Sequence, residues 1–181
     1  MSKVYTNKQL TGSRATLAFQ SLCEFTDIIS QSFLTYGTCL ASHREKEFIA
    51  WDTDVDTGIL ESDFKWSYIN KLLKSGFKII SIYGSPYYGL QFAFYKNVKI
   101  DLWIFYPQDN IYYNCLWDNQ RDIKHVYPKQ LLQTEEGILY NKSFSTLSKE
   151  YLTHVYGDWN KPQKQFSWKT DHKCVIGKSF I

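Results

Sequence analysis

No two of the four cysteines, Cys23, Cys39, Cys115 and Cys174, form a C-x-x-C pair, and no histidine stands at zinc-finger spacing from them. A structural zinc site is not expected. The even count allows disulfides, but a chain of 181 residues can bury a core without them, so buried free thiols are the expectation. Long apolar runs are missing too: nothing approaches the roughly 18 residues of a membrane span. The polar stretch Met1 to Arg14 does not read as a signal peptide. The expectation is a soluble chain, cytoplasmic or otherwise, with no leader and no span. Excess charge is lacking as well. Lys and Arg number 21 against 18 Asp and Glu, a formal +3, which is too little for a domain that wraps nucleic acid. Repeats and low-complexity segments are absent, and the length suits one domain over 1–181, with a core over about 17–162 and a polar tail over 163–181.

Aromatic residues are abundant, at 18% of the chain against 44% for all hydrophobic types. Core and pocket walls built from Tyr, Phe and Trp follow from that balance. Ala18, Leu22, Phe25, Ile29 and Phe33 recur at steps of four and three, which predicts a first helix over Ala18 to Leu34, ended at Tyr36-Gly37-Thr38. The charged stretch Ser42 to Glu47 reads as exposed loop. A second helix follows Ser62 as N-cap, burying Phe64, Tyr68, Leu72, Ile69 and Leu73, and stops at Ser75-Gly76. Strands are predicted over Phe77 to Tyr83, Leu90 to Tyr95 and Val98 to Phe105, with a tight turn at Lys96-Asn97. Ile111 to Trp117 and Ile138 to Phe144 read as further strands. Ser145 to Tyr156 reads as a third helix ended by Gly157, and no regular structure is assigned from Asn160 on. The sum is a mixed α+β domain.

Asp52, Asp54 and Asp56 alternate with other residues ahead of Gly58, so in an extended strand all three point one way. Aspartate has poor strand propensity, and three on one face repel one another. Either the strand is a solvated edge or a cation neutralises it. Asp101, alone in the apolar run Val98 to Phe105, favours the second reading. Carboxylates from two adjacent strands, about 4.8 Å apart, can converge on Mg2+ or Mn2+, which complete their shell with water and phosphate oxygens. A phosphate-bearing substrate is therefore expected.

The segment Gly37-Thr38-Cys39-Leu40, then Arg44, then Phe48-Ile49-Ala50-Trp51-Asp52-Thr53-Asp54-Val55-Asp56 resembles the signature of the LicD and fukutin-related family, G-T-L-L-G-A-x-R followed by F-I-P-W-D-x-D-x-D. A weaker echo is Tyr151-Leu152 with Tyr156-Gly157-Asp158-Trp159-Asn160-Lys161-Pro162, similar to Y-L-x-x-x-Y-G-x-x-W-x-x-P. Ala41 and Ala50 stand where Gly and Pro are usual, and Glu47 and Thr53 where Gly and Asp are frequent. None of these departures removes an expected metal ligand.

The resemblance implies a nucleotidyltransferase-like mixed β-sheet with helices packed on it. It also implies a metal-dependent transfer of phosphocholine, ribitol phosphate or glycerol phosphate from a CDP-linked donor to a glycan or other hydroxyl acceptor, with release of CMP. Asp54, Asp56 and Asp101 would be catalytic metal ligands, with Asp101 on a second ion and able to accept the acceptor's proton. Asp52 would stand behind them or bind metal through water. Gly37, Thr38 and Arg44 would hold phosphate, against the plainer readings of a helix cap and a surface arginine. Trp51 would pack under the acidic strand. Tyr87, Tyr88 and Gln91 would line a pocket or simply pack, and Trp159 would stack on a sugar or anchor a helix end. His125, His154 and His172 form no triad by spacing. The alternatives are nucleotidyl transfer from a nucleoside triphosphate and a non-catalytic nucleotide- or glycan-binding module.

Overall fold

In the computed structural model, residues 8–85, 89–118, 121–164 and 175–178 are described. Tyr87, Tyr88, His172 and Cys174 therefore lie outside the described residues.

The element order is α1 (Gly12–Ile28), β1 (Phe33–Leu34), α2 (Tyr36–Arg44), β2 (Asp54–Leu60), α3 (Trp66–Lys74), β3 (Lys78–Ser85), β4 (Gly89–Lys96) and β5 (Val98–Gln108). It continues with β6 (Ile111–Asp118), β7 (Arg121–Pro128), β8 (Thr134–Leu139), β9 (Lys142–Leu147), α4 (Lys149–Tyr156) and β10 (Val175–Lys178), with short 3-10 turns at Glu61–Asp63 and Lys129–Leu132. The strands run β10-β7-β6-β5-β2-β1-β9-β8, with β4 also on β5 and β3 on β4. Two of the pairings, β2 with β5 and β1 with β9, are parallel and the rest antiparallel, so the sheet is mixed and the fold α+β as expected.

Side chains alternate faces along β5. Ile100, Leu102 and Ile104 point to one side together with Val55 and Ile59 of β2, all at 1% exposure or less. Phe94 of β4 opposes Ile100, and its ring meets Phe25 of α1 at 5.8 Å, while Phe25 meets Phe77 at 5.7 Å. That layer is the aromatic core the composition forecast. Lys99, Asp101 and Trp103 point to the opposite side, which α2 and α4 cover: Tyr36 of α2 lies 4.9 Å from the Trp103 ring, and Tyr151 of α4 lies 6.2 Å from Tyr36.

Several predicted boundaries are corrected. The first helix stops at Ile28, because Ser32 bonds back to the Ile29 carbonyl through both its N–H and its hydroxyl, and this local competitor breaks the ladder before Phe33. Phe33 and Leu34 then join the sheet. Tyr36, Gly37 and Thr38 do not end a helix; they begin α2. Ser42 to Arg44 are not loop either, since they form the last turn of α2, where Ser42 is fully buried and donates to the Cys39 carbonyl at 2.8 Å. The second helix starts at Trp66 rather than after Ser62, and Leu73 faces solvent. Ile138 to Phe144 is not one strand but the turn of a β8–β9 hairpin, with Tyr140 and Asn141 both at positive φ, 49° and 63°. The third helix starts after Ser148, whose hydroxyl accepts from the Tyr151 N–H, and not at Ser145, which lies in β9. The tail is not wholly irregular, because β10 pairs antiparallel with β7.

Candidate active site

β2 and β5 lie parallel with Asp54 opposite Lys99 and Asp56 opposite Asp101. By the alternation of strands these four side chains share one face. The two acidic segments are thus neighbours, as the sequence required. Ala93 of β4 stands on the far side of Asp101, and its small side chain leaves the carboxylate room.

Asp101 is 4% exposed. Its Oδ2 receives the Lys99 ammonium at 2.8 Å, and the same ammonium reaches Asp54 Oδ2 at 2.8 Å. Asp101 Oδ1 is buried with no hydrogen-bond partner among the described residues, as is Gln91 Oε1 on β4. Trp103 Nε1 donates to Asp56 Oδ1 at 3.2 Å, and the Asp56 backbone N–H donates to Thr38 Oγ1 at 2.8 Å. The Thr38 hydroxyl is therefore turned toward the acidic strand rather than out into a cleft.

Asp52 precedes β2 and is not part of its alternation. Its backbone is fixed instead by the Leu10 N–H, which donates to the Asp52 carbonyl at 2.7 Å, and by its own N–H to the Ile49 carbonyl at 2.9 Å. A Cβ on Gly37 would lie 2.7 Å from Asp52 Oδ2 and 3.5 Å from Asp56 Oδ2. Both carboxylates thus close on the first turn of α2, at its electropositive end, over a residue that has no side chain to hold them off. Tyr36 just before it has φ 43°, a conformation that costs a bulky residue of order 1 kcal/mol or more. Asn114 Nδ2 donates to its hydroxyl at 2.8 Å, with Tyr127 and His125 also on that oxygen, and these bonds over-determine the strained backbone.

The charges are mutually costly. Burial, then the Asp54 charge, pushes Asp52 up to about 7. Burial, then the charges of Asp54, Asp101 and Asp52, holds Asp56 well above the usual carboxylate range. Burial lifts Asp101 to about 6 against the opposing pull of Lys99. Burial disfavours the Lys99 charge, but Asp101 and Asp54 more than offset it, so its pKa lies above the ordinary lysine value. Tyr156 is raised well above the usual phenol by burial and by Asp56 and Asp52 nearby.

A cleft opens beside Asp52, lined by Gly37, Arg44, Trp51, Tyr156, Trp159 and Lys164 among others. The Arg44 guanidinium donates from Nη1 to the Trp159 carbonyl at 2.7 Å and from Nε to Glu45 at 2.6 Å, which ties the end of α2 to the chain after α4. The Lys164 ammonium sits 5.4 Å from the Trp51 ring centre. Cations beside indole faces suit a ligand with phosphate and a ring.

Among the described residues no three acid, histidine or cysteine side chains are gathered closely enough to cage an ion as they stand. The donor set nevertheless fits a hard divalent cation. It is all carboxylate oxygen, it carries a surplus of negative charge, one buried oxygen of Asp101 lacks a partner, and a cation, the Lys99 ammonium, already rests among the acids. His125 and His154 lie outside this cluster; His125 is buried beside Tyr36. Lys99, Trp103 and Tyr156 did not come forward as site residues from sequence. The first two stand two residues either side of Asp101, so strand alternation alone was enough to put them on its face.

The LicD/FKTN/FKRP, nucleotidyltransferase domain model matches residues 30–142. Ribitol-5-phosphate transferase FKTN of Homo sapiens is 28% identical over 142 residues, which take in 76% of this chain and 31% of that protein. The Mus musculus FKTN is 27% identical over 143 residues, with the same coverage. Ribitol 5-phosphate transferase FKRP of Homo sapiens is 26% identical over 109 residues, 56% of this chain and 22% of that protein. The chain thus spans less than a third of the FKTN proteins' length. The family match covers Gly37, Thr38 and Arg44, the acids of β2 and Asp101 of β5 in one continuous stretch, and the chain belongs to the LicD/FKTN/FKRP family.

Proposed function

We propose that this chain carries a transferase centre that moves a phosphoalcohol, such as ribitol phosphate, phosphocholine or glycerol phosphate, from a CDP-linked donor to a hydroxyl of a glycan or other acceptor. The whole of 1–181 is read as one such domain. The observation that carries the reading is the apposition of Asp56 and Asp101 on parallel strands, with Asp52 and Asp56 closing on Gly37 at the start of α2. The relatives named as ribitol-5-phosphate transferases support the class of group transferred.

Asp52, Asp54, Asp56 and Asp101 are the donors available to Mg2+ or Mn2+, which when bound supplies positive charge to the donor's diphosphate. In the transfer, the acceptor oxygen forms a bond to the phosphorus that carries the alcohol. The bridging P–O bond breaks, and its electron pair leaves on CMP. The proton of the attacking hydroxyl goes to Asp101 Oδ1, which has no hydrogen-bond partner among the described residues and belongs to a carboxyl raised to about 6 by burial. Arg44, Lys161 and Lys164 line the cleft that receives phosphate, and Trp51 and Trp159 offer ring faces to base or sugar. Gly37 lets the carboxylates of Asp52 and Asp56, and the ion they would hold, come close to the first turn of α2.

The test is release of CMP by the purified chain from CDP-ribitol, CDP-choline and CDP-glycerol with Mn2+, run beside CTP and ATP. CMP from one CDP-alcohol, abolished by chelator, is the expected result. Pyrophosphate from CTP would move the reading to nucleotidyl transfer, and turnover unaffected by chelator would overturn the metal.

A further inference from the structure

Lys99 is the feature of the site that the pattern of acids does not call for. Its ammonium reaches Asp54 Oδ2 and Asp101 Oδ2, each at 2.8 Å, from a side chain that is only 30% exposed. A lysine stem is long enough to reach solvent, and holding its head between two carboxylates costs it rotamer freedom. Here it is retained because the alternative is two negative charges facing each other across the β2–β5 pair with nothing between them. The remaining donors lie elsewhere: Asp52 Oδ2 and Asp56 Oδ2 close on Gly37, and Asp101 Oδ1 is buried with no hydrogen-bond partner among the described residues.

We propose that Lys99 is the site's resident cation, holding the position between Asp54 and Asp101 that a second metal ion would need, so that the centre takes one divalent ion, on the side of Asp52 and Asp56. The inference rests on the metal-dependent reading above and narrows it. Four carboxylates carry four negative charges when ionised; one ammonium and one divalent ion leave a single surplus charge, whereas two divalent ions with the ammonium would overshoot. A lysine in this role also acts as fixed positive charge that needs no metal, and so keeps Asp54 and Asp101 in place when the ion leaves with product.

The experiment counts Mn2+ bound per chain, by titration calorimetry and by the loss of free-Mn2+ paramagnetic resonance signal, with no nucleotide present. Wild type should bind one ion, and so should Lys99→Arg, which keeps the charge. Lys99→Met, with the charge removed and the stem kept, should bind two, or bind the first at least tenfold more tightly. Equal count and equal affinity in wild type and Lys99→Met would overturn the inference. Two ions in wild type would overturn it also while leaving the metal reading intact, and that measurement stands even where Lys99→Met does not fold. No binding by any of the three proteins would remove the metal reading, and the inference with it.

Discussion

The indole N–H of Trp103 donates to Asp56 Oδ1 at 3.2 Å, reaching from β5 to the acidic strand that lies parallel to it. Burial and the neighbouring aspartates raise the pKa of Asp56, and this contact works against them. The same indole packs on Tyr36, whose strained backbone opens α2. One side chain thus aims the carboxylate and supports the turn that faces it.

Trp103→Phe keeps a ring against Tyr36 and removes only the donor. A hydrogen bond to a charged acceptor contributes about 1.5 kcal/mol, so turnover should fall roughly tenfold. Thermal melting should move by no more than a few degrees. Loss of turnover in step with loss of fold would mean that the indole only packs.

Gly37→Ala should separate function from stability in the other direction. Gly37 is helical, and alanine favours a helix over glycine by about 1 kcal/mol. Its methyl would meet Asp52 Oδ2 at 2.7 Å, an atom at the free end of a side chain that can swing away. Melting temperature should hold or rise, while Mn2+ affinity and CMP release drop by at least tenfold. Unchanged Mn2+ affinity would show that Asp52 has no part in the site.

Asp56→Asn should abolish CMP release and at the same time stabilise the metal-free protein. The raised pKa of Asp56 means that its ionised form costs the folded state more than the unfolded one. Removing the charge removes that cost. Melting in chelator should therefore rise relative to wild type, and added Mn2+ should stabilise wild type more than the variant. A lower melting point in chelator would contradict the repulsion assigned to the cluster.

His125 supplies a pH dependence away from the acids. It is 1% exposed, and burial lowers its pKa to about 4. Between that value and the ordinary 6.5 the unfolded chain takes up a proton that the folded chain refuses, so stability rises with pH across this window. The contribution is complete above the unfolded value and is lost as pH falls toward the folded one. Urea unfolding at pH 7 and pH 4.5 should show wild type losing roughly 2 kcal/mol more on acidification than His125→Gln. Equal losses in the two proteins would mean that His125 accepts the proton while folded.

What could be read from the sequence was whatever depends on a short period and a sharp residue type. Asp54, Asp56 and Asp101 share a face because strand side chains alternate, and that alternation survives any error in element ends. The same rule reached Lys99 and Trp103, but a lysine and a tryptophan in an apolar strand read as edge and core until the partner strand is known. Asp52 lies before the start of β2, so its place beside Asp56 comes from the Leu10 and Ile49 backbone bonds that fix its turn and not from strand alternation. The boundary of α1 was hidden because Phe33 continues the helical spacing although Ser32 has already broken the ladder. Gly37 reads from sequence both as a helix stop and as a place of close approach; it lies inside α2, and its lack of a side chain makes room for the carboxylates. The β8–β9 turn has no glycine; Tyr140-Asn141 adopts the left-handed conformation with only the asparagine to announce it.

The parallel pairing of β2 with β5 bears on how the centre is made. Asp54 and the lysine that meets it are 45 residues apart, and α3, β3 and β4 all lie between them. During synthesis at roughly 5 to 20 residues per second, the acidic segment leaves the ribosome seconds before its counter-charge exists. A parallel neighbour cannot be reached by a hairpin, so closing that gap belongs among the slow, non-local steps of folding. Until then three aspartates stand together with no lysine among them. A nascent chain arrested before Val98 should therefore keep this segment hydrated and exposed to proteases, and should shield it only once β5 has emerged.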